Sequence, residues 1–175
     1  MKDYNRLIFD KINSWQGRNP WLDAFGRAGA EWVIVAMLGW YAAATFLACW
    51  PDWKSAFGPI IILAGVWVMT WCVDVAIGYF VHEMRPHITE PATRQLFKPM
   101  MGWKSFPSDH TMTAFLIFFT ACVFGLAGTP ALFVLALWAA FGRMFSGVHY
   151  PIDIIGGIST AGVAAIWLKF ILILI

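Results

Sequence analysis

The chain has 175 residues and a formal net charge of +2, and 60% of its residues are hydrophobic while 13% are charged. Soluble domains are about 45–50% apolar and about 25% charged, so this composition indicates a membrane protein. The composition excludes a disordered chain, and three cysteines cannot form the framework of a disulfide-rich secreted domain. The small net charge and the absence of basic runs exclude a nucleic-acid partner.

The N-terminal 25 residues mix charged side chains with apolar ones at helical spacing. Leu7, Ile8, Ile12 and Trp15 form the apolar set, and Gly17-Arg18-Asn19-Pro20 predicts a turn after them. The pattern predicts an amphipathic helix that either lies in the membrane interface or packs on the rest of the protein.

Five apolar segments follow, and each approaches the roughly 20 residues that a helix needs to cross a bilayer. We therefore predict an all-α fold, a polytopic transmembrane helix bundle with about five spans plus the N-terminal interfacial helix, as one domain over residues 1–175. The predicted spans are Glu31–Trp50, Phe57–His82, Thr111–Leu126, Ala131–Phe145 and Ile152–Ile175.

Counting five spans fixes which polar segments share a membrane face. The N-terminus, the polar stretch His82–His110 and the junction between the fourth and fifth spans fall on one side. Three polar clusters lie at span ends on that side, where ionisable groups are costly unless they pair or function. They are Arg85-Pro86, Pro107-Ser108-Asp109-His110, and Arg143 with His149 and Asp153.

The clusters contain the side chains that a phosphate site needs. Arg85 and Arg143 can each hold phosphoryl oxygens bidentately. The backbone N–H groups that open a helix at Ser108 favour an anion, and the Ser108 hydroxyl can add a donor.

The same clusters contain a nucleophile and an acid. His149 and Asp153 are four residues apart and share a face if the turn is helical, so the carboxylate can fix the tautomer of the imidazole. A second imidazole, that of His110, can protonate a leaving oxygen.

In order and spacing, these motifs resemble the signature of the phosphatidic acid phosphatase type 2 superfamily, K-x6-R-P, then P-S-G-H, then S-R-x5-H-x3-D. Asp109 in the second motif, Ser105-Phe106 before it and Gly147-Val148-His149-Tyr150-Pro151 are most similar to bacterial undecaprenyl-diphosphate phosphatases of the bacitracin-resistance type. The resemblance covers about residues 70–160.

The resemblance implies a metal-independent lipid phosphatase, without a cofactor, in the bacterial inner membrane. It would hydrolyse undecaprenyl diphosphate to undecaprenyl phosphate through a phosphohistidine intermediate, in recycling of the cell-wall lipid carrier. His149 would be the nucleophile, Asp153 its orienting carboxylate and His110 the acid. The implied phosphate-binding residues are Arg85, Arg143 and Ser108, and we add Asp109 and Lys104 as further phosphate-binding candidates.

Three positions depart from the signature. Gly78 stands where the signature has Lys, Gly142 stands where it has Ser, and Asp109 replaces Gly. The missing lysine removes one positive charge from the phosphate site, and we predict that Lys104 or Lys98 replaces it.

Several alternatives stay open at this point. The substrate could instead be phosphatidylglycerol phosphate, phosphatidic acid or lipid A. A zinc hydrolase using the same histidines and aspartates, or a non-enzymatic lipid transporter or membrane scaffold, is a different class. Sidedness is in conflict, because Lys and Arg residues concentrate on the active-site face and indicate the cytoplasm, whereas the resemblance implies the periplasm or cell exterior.

Overall fold

The computed structural model describes residues 4–99 and 102–174, which form α-helices and contain no β-strand. This confirms the all-α fold. A short 3-10 helix, Trp53–Ala56, precedes the fourth α-helix. The α-helices are α1 (Tyr4–Asn13), α2 (Pro20–Glu31), α3 (Val33–Ala48), α4 (Phe57–Val81), α5 (Pro86–Thr89), α6 (Asp109–Val123), α7 (Thr129–Phe145) and α8 (Pro151–Leu174).

The amphipathic N-terminal helix α1 packs on the bundle, against α7 and α8. Phe9 is fully buried and meets the ring of Tyr150 edge-on, with 5.0 Å between ring centroids. Asn13 and Gln16 are buried too, and their amides donate to the same carbonyl oxygen, that of Phe145 at the end of α7. The N-terminal helix is therefore attached to the end of the bundle where α7 ends and α8 begins.

Helix α2 is an element that the sequence analysis did not predict, since a turn was expected at residues 17–20 and a span only from Glu31. Asn19 caps α2 by accepting a hydrogen bond from the N–H of Trp21, and Pro20 occupies its first turn. A bend of 53° separates α2 from α3. The glycines of α2 let it approach α7 closely, since a Cβ atom at Gly26 would lie 2.1 Å from the ring of Phe145 and one at Gly29 would lie 2.7 Å from the carbonyl oxygen of Trp138.

Helix lengths only partly support five spans. Two stretches of the described chain are long and apolar enough to cross a membrane, Trp53–Thr89 and α8, and the bent pair of α2 and α3 could make a third. Helices α6 and α7 are apolar but have 15 and 17 residues. Both are shorter than the roughly 20 residues of a typical span. The order of the elements is as predicted, whereas the count of five spans stays a prediction.

Helix α6 lies at the centre of the bundle and packs against α8 and α7 on either side. Its contact with α8 depends on glycine, since a Cβ atom at Gly157 would lie 2.6 Å from the carbonyl oxygen of Ser108. The close approach lets the N–H of Ser108 donate to the carbonyl oxygen of Asp153, at 3.1 Å. The starts of α6 and α8 are thereby held together, and each carries one of the predicted clusters.

Candidate active site

The three predicted clusters meet at one end of the bundle, where α4 and α7 end and α6 and α8 begin. The guanidinium of Arg85 lies 3.0 Å from the Nε2 atom of His149, although the two residues are 64 positions apart. Most side chains of the site are buried although they are polar or charged. The buried ones are Arg85, Lys104, Ser105, Ser108, Arg143, His149 and Asp153.

His149 lies in the turn between α7 and α8, and Asp153 is in the first turn of α8. The Nδ1 atom of His149 is 3.4 Å from the Oδ2 atom of Asp153. The same carboxylate oxygen accepts hydrogen bonds from the N–H of Tyr150, at 2.8 Å, and from the hydroxyl of Ser105, at 2.5 Å. The helical spacing thus pairs the imidazole and the carboxylate as predicted.

Arg85 determines which nitrogen of His149 carries the proton. Its Nη1 atom donates to the carbonyl oxygen of Val148, at 2.9 Å, and lies 3.0 Å from the Nε2 atom of His149. A guanidinium can only donate hydrogen bonds, so Nε2 must accept and the proton sits on Nδ1, facing Asp153. The lone pair of Nε2 is then exposed to the cationic side of the site, as a nucleophile for a phosphoryl group requires.

The surroundings of His149 keep its imidazole neutral. Burial is the largest cause and lowers the pKa of His149 well below its usual range, and the positive charges of Arg85 and Arg143 lower it further. His110 and Lys104 are also close enough to contribute to this shift. A neutral imidazole at physiological pH is the form that can act as a nucleophile.

Lys104 enters the site through the space left by Gly78. Its ammonium is buried, donates to the Oδ1 atom of Asp109 at 2.6 Å and lies 3.4 Å from the carbonyl oxygen of Asp74. A Cβ atom at Gly78 would lie 2.5 Å from Cδ of Lys104 and 3.1 Å from the carbonyl oxygen of Phe106. Lys98, the other lysine considered, is exposed. The structure therefore places Lys104 in the site, beside the position where the signature has its lysine.

Arg143 is buried near the end of α7, and two residues outside the sequence motifs hold its guanidinium. Its Nη1 atom donates to the carbonyl oxygen of Ala30, near the end of α2, and its guanidinium lies over the ring of Phe97, 5.3 Å from the centroid. Its Nε atom has no hydrogen-bond partner within residues 4–99 and 102–174. The close contact between α2 and α7 also explains why position 142 is glycine, since a Cβ atom there would lie 2.4 Å from the backbone nitrogen of Ala30.

Ser108 and His110 stand at the start of α6. The Oγ atom of Ser108 accepts from the N–H and the hydroxyl of Thr111, at 3.5 and 3.1 Å, and so caps the helix. Both contacts use the oxygen as an acceptor, which leaves the hydroxyl proton for an anion. His110 is half-buried and interacts electrostatically with Arg143 and Arg85. The cap and the predicted phosphate site are compatible.

Three contributors to the site were missed by the sequence analysis as site residues. They are the hydroxyl of Ser105, the ring of Phe97 and the backbone of Ala30. Ser105 had a signal, because it lies two residues before the second motif. Phe97 and Ala30 carry no chemical signature, and only the fold brings them to Arg143.

Asp74 of α4 is fully buried and faces Thr160 of α8, but neither of its carboxylate oxygens makes a hydrogen bond of good geometry to a described residue. His82, at the exposed end of α4, lies outside the site. No group of three or more His, Cys, Asp or Glu side chains in the described chain is arranged to hold a metal ion.

A histidine paired with a carboxylate beside two arginines, at one end of an apolar helix bundle, is an arrangement that suits a membrane phosphohydrolase. The profile of the PAP2 superfamily matches residues 59–173. Undecaprenyl-diphosphatase BcrC of Bacillus subtilis (strain 168) is 30% identical over 163 residues, which span 90% of this chain and 78% of BcrC. The chain therefore belongs to the PAP2 superfamily, and it is a bacterial membrane lipid phosphatase.

Two solved structures share the fold. LpxE of Aquifex aeolicus superposes with a TM-score of 0.69 at 24% identity, covering 97% of this chain and 98% of LpxE. A transmembrane PAP2-type phosphatidylglycerolphosphate phosphatase from Bacillus subtilis gives a TM-score of 0.64 at 17% identity, covering 96% of this chain and 85% of that protein. Both support the transmembrane bundle.

Proposed function

We propose that the protein hydrolyses undecaprenyl diphosphate to undecaprenyl phosphate and inorganic phosphate. The observation that carries this proposal is the position of His149, whose unprotonated Nε2 atom faces the guanidinium of Arg85 while Nδ1 faces Asp153. The relative named undecaprenyl-diphosphatase favours a polyprenyl diphosphate over the other lipid phosphates. The lipid tail of the substrate would stay in the bilayer while its diphosphate group enters the polar end of the bundle.

The first step transfers the terminal phosphoryl group to His149. Nε2 attacks the terminal phosphorus, and the bond from that phosphorus to the bridging oxygen breaks. Arg85 exchanges its contact with Nε2 for the phosphoryl oxygens, which Arg143, Lys104 and the Ser108 hydroxyl also bind. Burial and the positive charges of Arg143 and Arg85 lower the pKa of His110 to about 3 in the free site. In this proposal the bound anionic diphosphate offsets those charges, so that His110 binds a proton and gives it to the departing oxygen of undecaprenyl phosphate.

The second step releases phosphate. Water attacks the phosphorus of phosphohistidine while His110, now neutral, takes the proton of that water. The bond between phosphorus and Nε2 breaks, and His149 regains its neutral form. Asp153 stabilises the positive charge that the imidazole carries while it is phosphorylated.

Asp109 has a supporting role in this proposal. Its carboxylate accepts from Lys104 at 2.6 Å and so positions the ammonium at the start of α6. We place the site on the periplasmic or external face, since the arginine and lysine residues that bind substrate are not topology signals.

The test is phosphate release by the purified protein from undecaprenyl diphosphate, phosphatidylglycerol phosphate, phosphatidic acid and lipid A. We expect the highest kcat/KM on undecaprenyl diphosphate, unchanged by a strong chelator and lost in His149→Ala and Arg143→Ala. Preference for another lipid would overturn the substrate assignment. Loss of activity with the chelator would indicate a metal hydrolase, and full activity of His149→Ala would overturn the mechanism.

A further inference from the structure

Ser105 precedes the second motif and is fully buried behind the proposed catalytic pair. Its hydroxyl donates to Oδ2 of Asp153 at 2.5 Å and lies 3.5 Å from Nδ1 of His149. Its own backbone is fixed, because its N–H donates to the carbonyl oxygen of Glu83 at 2.8 Å. Ser105 therefore reaches the pair from the segment between α5 and α6, and this hydrogen bond holds it to the residues that follow α4.

The carboxylate of Asp153 depends on Ser105 for its orientation. All of its hydrogen bonds to described residues converge on Oδ2, while Oδ1 has no partner there. The N–H of Tyr150 belongs to the same helical turn as Asp153, so it cannot fix the carboxylate relative to the rest of the site. Ser105 is the side chain that donates to this carboxylate from another segment of the chain.

We propose that Ser105 is a positioning residue that holds the Asp153 carboxylate against Nδ1 of His149 during phosphoryl transfer. The inference rests on the proposed phosphohistidine mechanism. Attack by Nε2 gives the imidazole a positive charge, and a correctly oriented carboxylate stabilises that charge. A neutral hydroxyl orients the carboxylate and leaves its negative charge in place, whereas a lysine or arginine would neutralise that charge.

The chain offers a matched control for a test by substitution. Ser146 is equally buried and lies three residues before His149 in the chain, but its hydroxyl makes no hydrogen bond to a described residue. Ser105→Ala and Ser146→Ala therefore remove the same atom from two fully buried positions. We expect Ser105→Ala to lower kcat on the hydrolysed lipid roughly ten- to hundredfold, the range for a hydrogen bond to a charged group. KM should stay within about twofold, since Ser105 lies behind the pair, and Ser146→Ala should match the parent.

A double-mutant cycle separates positioning from a general structural role. In an Asp153→Ala background, where the carboxylate is gone, Ser105→Ala should cause little further loss of kcat. Radiolabelled substrate makes the residual rates measurable, and thermal unfolding in detergent should show Ser105→Ala and Ser146→Ala melting alike.

Three results would overturn the inference. One is a Ser105→Ala protein with the parental kcat, and another is an equal loss of kcat from Ser105→Ala in both backgrounds. The third is a loss of kcat explained by unfolding, with Ser105→Ala melting well below Ser146→Ala. A parent protein that releases phosphate from no lipid would instead overturn the proposed function, and this inference with it.

Discussion

At the scale of single residues, the chemistry depends on the protonation state of His149. Burial and two neighbouring guanidinium groups disfavour its charged form, so its pKa lies well below the usual value. The imidazole is then neutral at pH 7.5 and stays neutral as the pH falls through 6.5.

This gives a prediction for NMR of the protein in detergent with labelled histidine rings. The chain has four histidines, so His149→Asn identifies the signal of His149 by its disappearance. We expect that signal to keep the shift of a neutral ring from pH 8 to pH 6. A titration of His149 with a midpoint at or above pH 6.5 would contradict the electrostatic account.

Residue identity alone indicated most of the proposed chemistry. The pairing of His149 with Asp153 was indicated by their spacing. The two arginines were indicated by their position, because ionisable groups at span ends are costly unless they pair or function. The groups that hold Arg143 in place could not be predicted in the same way. Ala30 contributes a backbone carbonyl and Phe97 an aromatic face, and neither property depends on a distinctive residue type.

At the scale of elements, the departures from the family signature are explained by packing. Gly142 lets the end of α2 approach α7, and Gly78 leaves room on α4 for the side chain of Lys104. The sequence analysis could propose Lys104 as the replacement cation but could not choose it over Lys98. That choice required the path of the loop between α5 and α6.

A substitution on α4 tests this explanation. Gly78→Ala places a methyl group 2.5 Å from Cδ of Lys104 and 3.1 Å from the backbone of Phe106, so the lysine must move. Overpacking of this kind costs about 1–3 kcal/mol. We expect lower thermal stability and a reduced kcat, in the same direction as Lys104→Ala.

The control for this prediction lies on the same helix. A Cβ atom at Gly65 meets nothing within 4 Å, so Gly65→Ala should leave kcat unchanged and keep or slightly raise the stability. If Gly78→Ala and Gly65→Ala behave alike, Lys104 does not depend on the space above Gly78.

At the scale of the whole molecule, counting spans already predicted that the three clusters share one membrane face. The structure brings them together, because α6 is held between α7 and α8 and its start contacts the start of α8. Helix α2 and the bend before α3 were not predicted, since the glycines that let α2 pack against α7 do not indicate that contact in the sequence. The span count also stayed open, because α6 and α7 are shorter than the bilayer requires.

The most direct test of the account is to trap the intermediate. Undecaprenyl diphosphate labelled with 32P in the terminal phosphate is mixed with excess protein and quenched in alkali, where phosphohistidine survives. The account predicts a protein-bound label that forms and decays at rates consistent with turnover, maps to the peptide containing His149 and is absent from His149→Ala. Phosphate release without any such label, or a label that persists in His149→Ala, would contradict it.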